Sequence, residues 1–188
     1  MKVEEKTRQE IEAKSSQMSD FLKMEYLESC IKQHREFDIK RFCNVKLAEL
    51  YEKRNMFSEA ARNSAAAADM AVTFKEKIDA YLKETELWIR AGIYERADES
   101  FRKALASGNS QEKYEAKRAV KEYYKKQAGI YEKAGKSTNA LKAYLKLIEM
   151  TEDAEKTEVK KKILALYSRL GKIKEYGALK AQLDGNSS

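Results

Sequence analysis

Apolar positions along the chain recur at steps of three and four residues rather than in alternation. Phe74, Ile78, Tyr81, Leu82, Trp88 and Ile89 form one such stripe before Gly92, and Ala97, Phe101, Ala104 and Leu105 form another after it. Val159, Ile163, Leu166, Tyr167 and Leu170 make a third before Gly171. This is the spacing of helices that bury one face. No run of valine, isoleucine and threonine alternates in the manner of a strand. The chain also has no proline and only seven glycines, and proline is the residue that most strongly breaks a helix. The pattern predicts an all-α protein.

The breaks between stripes are regular. Gly92, Gly135 and Gly171 each follow an aromatic residue by four positions (Trp88, Tyr131 and Tyr167), and Asn55 follows Tyr51 in the same way. Five residues beyond each Gly or Asn stand Ala60, Ala97, Ala140 and Tyr176. A helix commonly closes on a residue in the left-handed conformation, which glycine adopts without penalty and asparagine at a small one. Asn55, Gly92, Gly135 and Gly171 are therefore predicted to close a first helix in each of four units. The small residue that follows lets a second helix approach closely. Asn109 with Glu112 makes a capping-box entry to a long helix over 110–134, and Ser19 with Asp20 can cap an N-terminal one.

With these residues in register the chain resembles the tetratricopeptide repeat (TPR) family. The second unit carries Tyr81, Trp88, Gly92, Tyr94, Ala97, Phe101 and Ala104. The third carries Tyr124, Ala128, Tyr131, Gly135, Ala140 and Tyr144. The first has Leu47, Ala48, Tyr51, Phe57, Ala60 and Ala67, and the fourth keeps Ile163, Leu164, Tyr167 and Gly171. The resemblance implies a right-handed α-solenoid of antiparallel helix pairs over residues 40–184, in about four repeats. The family's terminal proline is missing, and equivalent residues stand farther apart than the standard spacing of about 34. Long units of this kind are similar to those of the soluble vesicle-fusion attachment proteins. Outside the register, 19–39 reads as a capping helix built on Phe21, Leu22, Tyr26, Leu27 and Cys30. Residues 1–18 read as a frayed extension, and 185–188 as a flexible tail.

Charge is uneven. The chain carries +7 overall, yet the first 100 residues hold 18 basic and 20 acidic side chains, so the whole excess lies beyond them. No segment approaches the roughly 20 apolar residues that span a bilayer, and the N-terminus lacks the apolar centre of a secretory signal. Cys30 and Cys43 fit no disulfide framework or metal spacing and read as two reduced thiols in a cytoplasmic protein. His34 could face Cys30 one helical turn away, but without a third, orienting group the plainer reading is a half-exposed surface side chain. Phosphate-cradling glycine motifs are absent. Carboxylate pairs such as Glu84 with Glu86 and Glu149 with Glu152 are expected on solvated faces. The expectation is a protein without catalytic residues, cofactor or metal.

Stacked helix pairs curve, and their first helices line the concave side. A protein segment is the expected partner there. The register places Phe42, Val45, Glu49 and Glu52 on that face, then Leu82, Glu86, Ile89 and Arg90, then Glu122, Lys125 and Lys133, and finally Lys161 and Arg169. The lysine–asparagine clamp with which some family members hold a chaperone's C-terminal carboxylate is missing: Val45 and Glu49, then Leu82 and Glu86, occupy those places. Nucleic acid is an alternative partner through the basic half, where Tyr123, Tyr124, Lys125 and Lys126 mix aromatic and cationic groups and Lys160, Lys161 and Lys162 form a run. Peripheral contact with an anionic membrane, as in a vesicle-fusion adaptor, is another.

Overall fold

The computed structural model describes residues 2–185, and every regular element among them is an α-helix. In chain order these are α1 (Arg8–Ser16), α2 (Asp20–Gln33), α3 (Phe37–Lys53), α4 (Phe57–Asp69), α5 (Phe74–Ala91), α6 (Tyr94–Ser107), α7 (Ser110–Lys133), α8 (Ser137–Glu149), α9 (Asp153–Arg169) and α10 (Ile173–Gly185). Two compact units divide the chain, one reaching to Ala116 and the other starting at Lys117. In the first, α1 packs on α2, α2 on α3, α3 on α4, α4 on α5 and α5 on α6; in the second, α8 packs on α9 and α9 on α10.

Four turns repeat one geometry. Asn55, Gly92, Gly135 and Gly171 all have positive φ, between 59° and 75°. The amide of the residue after each donates to the carbonyl of the aromatic residue four before the cap. These bonds run from Met56 to Tyr51 (2.9 Å), Ile93 to Trp88 (3.0 Å), Lys136 to Tyr131 (2.9 Å) and Lys172 to Tyr167 (2.9 Å). The cap residue's own amide donates to Glu52, Ile89, Glu132 and Ser168 in turn. This is the Schellman closure, and it satisfies carbonyls that a helix end would leave bare. The next helix begins two residues after each cap, and Ala60, Ala97 and Ala140 are then fully buried. The predicted long helix forms as α7, with Asn109 and Glu112 exchanging the two capping-box bonds (3.0 and 2.8 Å).

The N-terminus departs from expectation. Residues 1–18, read as a frayed extension, contain α1, which starts in a capping box between Thr7 and Glu10. The cause is one fully buried apolar anchor, joined by the part-buried Val3 and Met18, with a charged clasp. Ile11 is buried among Met24, Tyr26, Leu27, Cys30, Ile39, Cys43 and Leu47. Glu5 accepts from Lys14 (2.6 Å) and from the Tyr26 hydroxyl (2.8 Å). The Lys14 bond, opposed by partial burial and helped by Tyr26, holds the Glu5 carboxyl at about 2. The capping segment expected over 19–39 is α2 plus the start of α3. Ser19 stands at the N-cap of α2, but its side chain makes no capping bond. Phe21 and Leu22, assigned above to the buried face, are exposed; Met24 and the register Tyr26, Leu27 and Cys30 carry that face. His34 ends α2 and is largely buried, with Nδ1 3.4 Å from Glu36 and Nε2 unpartnered. Cys30 is fully buried in one cluster with Cys43. The tail expected over 185–188 falls, from residue 186 on, outside the described residues.

Between α5 and α6 the core is polar at two points. Thr85 and Ser100 share a buried hydroxyl–hydroxyl bond of 2.8 Å. Glu84, 7% exposed, accepts from Trp88 Nε1 (3.0 Å) through one carboxylate oxygen, while the other has no partner. Burial pushes the Glu84 carboxyl above its ordinary value, against the smaller opposing effect of the Trp88 bond. The folded state therefore binds this proton more tightly than the unfolded state does. Glu84 favours folding at low pH, and that contribution fades as the pH rises through the shifted value. Glu84→Gln should raise the melting temperature at pH 7 and leave it nearly unchanged at pH 4, as circular dichroism melts at the two pH values would show. A lowered melting temperature at pH 7 would mean that the carboxylate charge is needed there.

Candidate interaction grooves

In the first unit a groove of about 300 Å³ opens between α3 and α5, with α4 beneath it. Its floor is made of small side chains because the second helix of this repeat is alanine-rich: Ser64 and Ala67 from α4, with Ala48 and Ala80 from the walls. Val45 stands over this floor, 39% exposed. Ion pairs tie the walls together. Arg41 on α3 meets Glu76 on α5 at 2.6 Å. Farther along, Glu52 on α3 pairs with Arg90 and, at 2.9 Å, with Lys83, both on α5. Glu86 joins the network at 2.9 Å from Lys83 and 3.7 Å from Arg90, whose guanidinium lies 4.2 Å from the centre of the Phe57 ring.

The electrostatics follow. Partial burial alone would push the Glu52 carboxyl up, but the Lys83 and Arg90 cations outweigh it and hold the group below the usual carboxylate range. The Arg41 bond does the same for Glu76, helped by the Thr73 amide at the α5 capping box. Other carboxylates are less well compensated. Glu49 shares Lys46 (3.8 Å) with Glu12, which holds that lysine more closely at 2.9 Å. Asp79 lies exposed on the α5 wall with no ion-pair partner among the described residues. Four acidic and two basic side chains line this groove.

The second unit builds a groove of about 330 Å³ between α7 and α9, with α8 beneath it. Its frame uses the same register. Arg41 and Lys121 each stand fourteen residues before their cap, and Glu52 and Glu132 each stand three before it. On the opposite wall Glu76 and Glu155 lie sixteen before the next cap, and Lys83 and Lys162 nine before it. The bonds repeat as well: Lys121 meets Glu155 at 2.7 Å, and Lys162 meets Glu132 at 3.7 Å. The floor differs, because Tyr144, Leu147 and Val159 fill the places of Ser64, Ala67 and Ala80. Tyr144 donates its hydroxyl to Glu132 at 2.7 Å. Lys125, exposed, takes the place of Val45.

Of the side chains placed on the partner face from sequence, Val45, Glu49 and Glu52 line the first groove, and Lys125 lines the second. Glu86 and Arg90 brace the first groove through Glu52 and Lys83. Three others turn inward. Ile89 is 0% exposed, while Phe42 and Leu82 are part-buried against core clusters. The reason for Ile89 is visible in the register: at the offsets where Asn55 has Arg41 and Glu52, Gly92 has Ile78 and Ile89, an apolar pair with no charge to keep at the surface. Glu122, Lys133, Lys161 and Arg169 are exposed but line neither groove. Lys161 pairs with Glu158 (2.8 Å). Sequence reasoning missed Arg41, Glu76, Asp79 and Lys83, which comparing charges at equal offsets from the caps would have found. It also assigned Phe74 to a buried stripe, whereas Phe74 is 75% exposed. Phe74 and the exposed Phe37 both stand eighteen residues before their caps, as the first residues of α5 and α3.

Compared with protein families and with curated proteins, the chain returns no match in either.

Glu52 is one of the two points at which ion pairs join the first groove's walls. Glu52→Gln should lower stability by about 1 kcal/mol near neutral pH, the scale of a partly exposed paired charge. The depressed carboxyl contributes fully above its unfolded value of 4.5. The deficit should therefore shrink as the pH drops below that value and vanish once the folded-state carboxyl is protonated. Urea unfolding of both proteins across this range checks it; a deficit that does not change with pH would mean packing, not charge, is at stake.

Proposed function

We propose that the chain is a non-enzymatic scaffold of TPR-like helical repeats, an α-solenoid in kind, which holds a segment of a partner protein in the groove between α3 and α5. The observation that carries this reading is the combination in one place of a groove floored by small side chains with Val45 exposed in it, walls already joined by ion pairs, and carboxylates left over. A surface whose shape is set before binding loses less order when a segment is held against it. The apolar contacts for that segment are Val45 and, at the N-terminal ends of the two walls, Phe37 and Phe74. Phe37 and Phe74 are exposed at equivalent places, as the first residues of α3 and α5. The ion pairs of Lys121, Lys161 and Lys162 support a protein partner over nucleic acid, since those cations are already engaged with Glu155, Glu158 and Glu132. Among the described residues no helix is long and apolar enough to cross a membrane. The unjoined thiols of Cys30 and Cys43 suit a cytoplasmic setting.

The test is affinity capture from native lysate with the full chain and with Val45→Arg. Val45 is part-exposed, so the variant should melt like the wild type while its guanidinium swings onto the groove's own carboxylates. Wild type should retain a defined set of proteins after nuclease treatment, and the variant should lose them. Loss of the captured set with nuclease, or equal capture by both proteins, would refute the reading.

A further inference from the structure

We infer that the occupant of the α3–α5 groove is a segment of another protein in which lysine or arginine side chains alternate with apolar ones. This deepens the scaffold reading above and rests on it. The Arg41–Glu76 pair is neutral, and so is the set of Glu52, Lys83, Glu86 and Arg90. What remains is Asp79 on one wall and, on the other, Glu49, whose lysine is shared with Glu12. Val45, exposed, and the smaller Ala48 and Ala80 line the same groove. An apolar strip flanked by anions on facing walls matches a side chain with a long aliphatic stem and a cationic head. Lysine and arginine lay such stems along apolar surface while their heads reach a polar partner.

The second unit provides an internal comparison. Its groove repeats the cross-wall pairs at the same offsets, so those pairs build the groove and do not select what enters it. At the place of Asp79 it has Glu158, but Lys161 neutralises it at 2.8 Å; at the place of Val45 it has the cation Lys125. The spare charge there is positive. The two grooves share a frame and differ in sign, and the basic segment is assigned to the first alone. A metal ion is a poorer match for Glu49 and Asp79, because no cluster of three or more metal-ligating side chains forms among the described residues. The charge of this part of the chain points the same way: although the whole chain carries +7, the first 100 residues hold 18 basic and 20 acidic side chains.

The experiment is fluorescence anisotropy of the full chain with two labelled twelve-residue peptides, one alternating lysine with leucine and the other alternating glutamate with leucine. The lysine peptide should bind more tightly than the glutamate one, with affinity that falls as salt rises. Glu49→Gln combined with Asp79→Asn should weaken it about tenfold, the scale of losing charge complementarity at one contact. Val45→Lys, which installs the second unit's residue, should weaken it similarly, and Lys125→Glu should not. The inference is overturned if the glutamate peptide binds as well, if the double variant binds like wild type, or if Lys125→Glu alone changes lysine-peptide affinity. It is also overturned if the lysine peptide fails to bind while nuclease-resistant partners are still captured in a Val45-dependent way; in that case the scaffold reading survives alone. If capture fails as well, both fall.

Discussion

The structure depends on one small closure used four times. At Asn55, Gly92, Gly135 and Gly171 the chain turns through the left-handed region, and two backbone bonds seal the helix end behind it. Because the closure fixes where one helix stops and the next starts, it also fixes which side chains of adjoining helices meet. Arg41 finds Glu76, and Lys121 finds Glu155, because each stands at the same count from such a turn. A shift of a single residue would rotate a helix by about 100° and separate every one of these pairs. Asn55 is the one non-glycine member among the described residues, and it accepts a modest conformational cost for the same geometry.

On that frame the units diverge by substitution at a few places. Small residues beneath the first groove, at Ser64 and Ala67, let α4 sit close under α3 and α5 and leave an open strip above. In the second unit Tyr144 and Leu147 occupy the same counts. Their bulk provides the core, and Tyr144 is further tied by its hydroxyl to Glu132. At Ile78 and Ile89 the charged pair of the frame is exchanged for buried isoleucine. Packing and recognition thus draw on the same positions, and the choice between them is made by side-chain size and charge.

The parts of this organisation governed by local rules were legible from sequence. Left-handed caps, the helix stripes and the Asn109 box need only a few neighbouring residues, and they lie where the pattern predicts. The N-terminus was misread although its signals were present: Thr7 with Glu10 is a capping box, and Ile11 is one apolar residue in a charged stretch, too weak a stripe to notice until Tyr26 and Leu27 cover it. Periodicity likewise cannot say whether an apolar residue at a helix start is covered by a neighbour, so Phe74 and Phe21 were placed inside. The groove was half-visible. Val45, Glu49 and Glu52 follow from the first-helix register, but the α5 wall of Glu76, Asp79 and Lys83 emerges only when charges are compared at equal counts from the caps, where Glu155, Glu158 and Lys162 repeat them.

Both cysteines and the sole tryptophan belong to the first unit, and both thiols are fully buried. A thiol reagent can reach Cys30 or Cys43 only when α1, α2 and α3 come apart. Its rate of reaction therefore measures how often that end of the chain opens, in the way amide exchange reports local opening. The indole of Trp88, buried on α5, reports separately on the other end of the same unit. The second unit is silent to both probes, so the opening of the first can be timed on its own within the intact protein.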